Sequence, residues 1–97
     1  METVGVLAVV EAKPGKERDL ENFLKSALPL ARAEPGTVRW YALKLGPSTF
    51  GIFDTFADQT GRDAHLQGEI ARALFAKADE LLSKPPQIQQ PDILAAK

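Results

Sequence analysis

The only imidazole in this chain of 97 residues belongs to His65, and there is no cysteine. An imidazole with an ordinary pKa of about 6.5 is suited to taking a proton from a phenol near neutral pH. The competing structural reading is a histidine at a helix end that bonds a backbone carbonyl. Trp40 and Asp54 are the next candidates. A carboxylate can satisfy the indole N–H and leave a ring face free to stack on an aromatic ligand. The same two residues also suit an ordinary cross-strand pair. Phe56 would add an aromatic wall, or simply core. Asn22 flanks an apolar helical stripe, where it either points a polar group into a pocket or stays solvated.

Several chemistries are excluded by what is missing. Without cysteine there is no disulfide framework, thiolate metal site or thiol nucleophile. One histidine without helix-spaced partners argues against a histidine-based metal site, and no metal is expected. No glycine-rich phosphate cradle follows a strand, and no nucleophile elbow is present. Twelve basic and 13 acidic residues are well mixed, for a net charge of −1. That balance offers no footprint for nucleic acid or an anionic membrane surface. The longest apolar run, Val4–Val10, is too short to span a bilayer. No basic segment leads into a cleavage site, so a cytoplasmic location and one domain over residues 1–97 are expected.

The elements that must position these residues follow from periodicity. Val4–Ala12 (VGVLAVVEA) is a strand apolar on both faces, with Val4, Val6, Ala8 and Val10 on one side and Leu7 and Val9 on the other. Pro14-Gly15 breaks the chain. Leu20, Phe23, Leu24, Ala27, Leu28 and Ala31 then recur at helical spacing. Pro29 should kink or shorten this helix, and Glu34-Pro35-Gly36 ends it. A hairpin follows: Thr37–Leu45, the loop Gly46-Pro47-Ser48, and Thr49–Phe56. Counting back from the loop sets Lys44 opposite Phe50, Ala42 opposite Ile52, Trp40 opposite Asp54 and Val38 opposite Phe56. Arg39 and Tyr41 then face away from Trp40.

Asp58 can cap a short helix, Gln59–Gln67, with His65 near its end. A longer helix after Gly68 carries Ile70, Leu74, Phe75, Ala78, Leu81 and Leu82 as its apolar stripe. Phe50, Phe53, Phe56 and Phe75 are expected in the core. Gln87–Ala95 is a weak last strand in which Pro91 implies an edge or a bulge. The order β-α-β-β-α-β predicts an α+β, ferredoxin-like fold: a four-stranded antiparallel sheet with both helices on one face. The apolar side of the first strand turned from the helices needs a cover, and a second copy of the sheet is the simplest one.

The turn Glu34-Pro35-Gly36 leading into Val38-Arg39-Trp40, the pattern Phe50…Asp54…Phe56, and Ala64-His65-Leu66 before a long helix together resemble the antibiotic biosynthesis monooxygenase family. The resemblance spans residues 3–95. It implies a dimeric α+β barrel joined through its sheet faces, and a cofactor-independent oxygenase acting on phenols or quinols. The aromatic at Trp40 and the acid at Asp54 keep the family's character. Phe56 stands where members often carry a tryptophan, and Ile70 where many carry a second histidine. A haem-degrading branch uses an axial histidine where this chain has Phe75, so haem chemistry ranks third.

The leading expectation is a homodimeric, cofactor-free monooxygenase with His65 as catalytic base and Trp40, Asp54, Phe56 and Asn22 binding a small aromatic substrate. The alternative is a non-catalytic small-molecule-binding or stress-associated protein using the same cavity.

Overall fold

In the computed structural model, which describes all 97 residues, the strands are β1 (Val4–Glu11), β2 (Thr37–Lys44), β3 (Thr49–Phe56) and β4 (Gln87–Gln89). The helices are α1 (Glu17–Ser26), α2 (Leu28–Ala33), α3 (Gln59–Leu66) and α4 (Glu69–Leu81). The sheet is antiparallel throughout, in the order β2-β3-β1-β4. This is the expected ferredoxin-like α+β fold. Leu20, Leu24, Leu74 and Leu81 of the helices bury against Ala8, Val10, Phe50 and Ile52 of the sheet. No helix is long and apolar enough to cross a membrane.

Pro29 has the foreseen effect. Its nitrogen cannot donate to a preceding carbonyl, so one predicted helix becomes two, with α2 starting afresh at Leu28. Gly15, at φ 85°, makes the left-handed turn before α1. Asp58 caps α3 as expected, its side chain accepting from the Gly61 N–H at 3.0 Å. The last strand is shorter than Gln87–Ala95. Pro91 offers no N–H, and beyond Gln89 the chain keeps only scattered bonds to β1, including Gly5 N–H to the Pro91 carbonyl.

The hairpin register holds for Lys44, Ala42 and Trp40, which stand opposite Phe50, Ile52 and Asp54. It fails at Val38. A β-bulge between Thr37 and Arg39 sets Thr37, not Val38, opposite Phe56. An extra residue in one strand reverses the alternation beyond it, so Thr37 turns to the helix side. Phe53 and Phe75 depart from their expected core positions: Phe53 is half-buried beside Tyr41 and Leu7 on the sheet face turned from the helices, and Phe75 is 57% exposed.

Candidate functional site

Asp54 alternates with Ile52 and Phe56 along β3, and all three point under the helices. Its side chain is 0% exposed. The chain leaves β3, caps α3 on Asp58, and two turns later carries His65 back over the strand. His65 Nε2 lies 2.9 Å from Asp54 Oδ2. On the other side of the ring, Nδ1 lies 2.8 Å from Oε1 of Glu34, the residue that ends α2. Glu34 is itself steadied by Thr37, whose hydroxyl donates to the same oxygen at 2.6 Å. The bulge is what turns Thr37 toward this contact.

Two close backbone approaches bring the Glu34 turn to α3. A Cβ on Gly61 would sit 3.0 Å from the Gly36 carbonyl oxygen, and one on Gly36 would sit 3.1 Å from Gly61 Cα. Gly68 likewise leaves room for Glu34 Oε2, which a Cβ there would approach to 3.2 Å. These glycines let turn and helix meet without side chains between them.

The result is a row: carboxylate, imidazole, carboxylate. Only the imidazolium can donate at both nitrogens at once. Burial, the largest influence on His65, disfavours that charge, but Asp54 and then Glu34 together outweigh it and raise the pKa above 6.5. Asp54 is also raised above the ordinary 3.8, first by its burial and further by Glu34, with His65 opposing. Despite the short distance to the ring, neither Asp54 oxygen receives an aligned hydrogen bond. Phe56, fully buried, packs its ring 5.2 Å from the imidazole centroid at a 40° tilt.

His65 separates two cavities. A nearly apolar one of about 130 Å³ is walled by Val6, Ile52, Ile70, Leu74 and Phe75, with Asp54 and His65 its only polar residues. A more polar cleft of about 350 Å³ opens on the Glu34 side, among Pro35, Gly36, Gly61, Gly68 and Glu69. The imidazole touches both.

The candidates therefore disperse. Asp54 and His65 meet, and both line the apolar cavity. Phe56 backs the imidazole and lines neither cavity that His65 touches. Trp40 lies opposite Asp54, yet its buried Nε1 has no partner, so the expected indole–carboxylate bond is not formed. Trp40 lines a separate cleft beside Leu28, Arg32 and Val38. Asn22 is exposed on α1, away from both His65 cavities. Glu34 and Thr37 escaped the sequence reading as site residues. Their only signal was the Glu-Pro-Gly turn, which reads equally well as a helix stop.

A family model described as antibiotic biosynthesis monooxygenase matches residues 3–77. Among solved structures, a Nitrosomonas europaea protein of unknown function is 59% identical, with a TM-score of 0.98 over 100% of this chain and 94% of that one. A Pseudomonas aeruginosa protein is 22% identical, with a TM-score of 0.81 over 98% and 97%. A Mycobacterium tuberculosis protein is 20% identical, with a TM-score of 0.84 over 97% of each chain. The last two show likeness of fold alone. No curated protein matches the chain.

Proposed function

The chain belongs to the antibiotic biosynthesis monooxygenase family, and we propose that it is a cofactor-independent monooxygenase for a single-ring phenol or hydroquinone. One observation carries this reading: a buried carboxylate with an unpartnered oxygen at the only polar end of an apolar cavity. Such an acceptor calls for a ligand that is apolar over most of its surface and brings one hydroxyl donor. Size supports one ring. An engineered apolar cavity of roughly 150 Å³ holds benzene, and this one measures about 130 Å³.

We assign the proton-accepting role to Asp54, held by His65, in place of His65 alone. Both ring nitrogens already face carboxylates, which leaves neither turned toward a substrate hydroxyl in the apolar cavity. Burial makes Asp54 a stronger base than an exposed carboxylate. When the substrate hydroxyl gives its proton to Asp54, the electron-rich anion reacts with O₂. Overall, a hydroquinone and O₂ give a hydroxyquinone and water. The substrate supplies all four electrons, and one oxygen atom enters at a ring C–H. The protein contributes a dry cavity, orientation and the proton acceptor.

The working form we propose is a homodimer joined by the sheet face turned from the helices. Tyr41, Phe53 and Leu7 form one cross-strand row there, and Leu43, Gly51 and Val9 the next.

The test is oxygen uptake over a panel of phenols and hydroquinones graded from one ring to three. Saturable uptake with single-ring substrates, one O₂ per substrate and no hydrogen peroxide, supports the reading. Turnover confined to fused-ring substrates would overturn the size argument. Binding of single rings without oxygen uptake would establish the non-catalytic alternative.

A further inference from the structure

The apolar cavity beside Asp54 is closed at one end and open at the other. Asp54 is sealed on β3, and the buried Val6 and Ala8 of β1 carry the floor of the cavity outward. That floor ends on the edge strand β4 at Ile88, which pairs with Ala8 and is 38% exposed. In the roof, Leu74 of α4 is buried, but its neighbour Phe75 is 57% exposed. The cavity therefore opens between Phe75 and Ile88, two strand spacings or about 10 Å from the strand that bears Asp54.

Phe75 also borders a second space. An outer cleft of about 500 Å³ runs from it past Ala78, Leu82, Pro85 and Pro86. The lysines of that cleft are already engaged: Lys13 donates to the Asp79 carbonyl, and Lys84 pairs with Glu11 at 3.6 Å. Phe75 is thus the side chain common to the inner cavity and the outer cleft.

We propose that Phe75 determines the specificity of the cavity, and that its ligand is a single-ring phenol or hydroquinone bearing an apolar alkyl chain. The hydroxyl lies at Asp54, and the chain passes between Phe75 and Ile88 into the outer cleft. This rests on the single-ring phenol reading above. Size gives the first argument. One aromatic ring fills an apolar cavity of this volume, so a chain on the ring carbon opposite the hydroxyl has to leave through the mouth. Chemistry gives the second. Asp54 and His65 are the only polar residues of the cavity, and both stand at its closed end. The mouth thus offers nothing to hydrogen-bond a polar substituent, whereas a chain laid on Phe75 and Ile88 removes exposed apolar surface from water.

The experiment is a set of binding titrations without oxygen, using phenol and its 4-alkyl derivatives from methyl to hexyl on wild-type protein, Phe75→Ala and Phe75→Leu. In the wild type, affinity should rise about two- to fourfold with each methylene that reaches the mouth. Phe75→Ala should bind phenol as the wild type does and 4-butylphenol roughly tenfold more weakly, with most of that loss recovered in Phe75→Leu. Magnetic resonance should place the end of the chain against the Phe75 ring. Because the side chain is largely exposed, its truncation leaves the core intact, which the melting temperature checks. Affinity independent of chain length in the wild type would overturn the proposal. So would the same rise with chain length in Phe75→Ala, or a bound chain that does not contact the Phe75 ring. Binding needs no oxygen, so the predicted chain-length series in a protein that oxidises no hydroquinone would defeat the oxygenase reading and leave this one standing.

Discussion

His65 is 7% exposed and has a carboxylate at each nitrogen, so removing it does more than delete a functional group. His65→Ala leaves Asp54 as a buried charge without a counter-ion, and breaking such a pair typically destabilises by about 3–5 kcal/mol. Urea melts should show that loss, and adding Asp54→Asn should recover most of it; simple additivity of the two changes would contradict the pairing. The pH dependence has a definite sign. A folded-state pKa raised above 6.5 means that the stability from His65 is whole below pH 6.5 and lost as pH climbs through the folded value. Asp54, raised above 3.8, acts in the same direction from a lower starting point. Unfolding free energy should therefore decline from pH 6.5 toward alkaline pH, and the decline should shrink in Asp54→Asn. A wild-type profile that rises over this window would contradict the row of contacts. Much of this site was legible. His65 and Asp54 stand out because such groups are scarce among apolar neighbours. Glu34 was not legible, because its contact with the ring joins residues 31 apart in sequence and depends on a bulge that strand counting cannot see.

The elements deliver these side chains through two features of backbone geometry. The first is the glycine crossing between the Glu34 turn and α3. Gly61→Ala would press a methyl group to 3.0 Å from the Gly36 carbonyl, and overpacking of this kind costs about 1–3 kcal/mol. Relief requires the turn to move off the helix, which parts Glu34 from His65. The variant should therefore lower the His65 pKa as well as the melting temperature, and a melting change with an unaltered titration would show that the turn does not carry Glu34. The second is the bulge at Thr37. Periodicity predicted the strands, the Pro29 break and the Asp58 cap because each is a local rule. The Val38 register missed because a bulge inserts one residue where the hydrophobic pattern does not change. The final strand was overestimated because its alternation runs on through Pro91, which the ladder cannot use.

For the whole molecule, the proposed dimer rests on the far sheet face. Tyr41 is 46% exposed there, in line with Phe53 and Leu7, and soluble monomers rarely leave such apolar rows uncovered. Sedimentation at micromolar concentration should give a dimer, and Tyr41→Asp should shift it toward monomer. A folded wild-type monomer would contradict the proposed assembly. The double-sided apolarity of Val4–Val10 already implied this cover, whereas the exposure of Phe75 was invisible to a helical stripe that treats every apolar position alike. The proposed chemistry depends most on Asp54, the buried carboxylate at the polar end of the apolar cavity. Its direct measurement is steady-state oxygen consumption by wild-type and Asp54→Asn protein with the same single-ring hydroquinone. If Asp54 is the proton acceptor, kcat falls by about 10²–10⁴ in the variant with KM changed little; equal turnover by the two proteins would contradict that role.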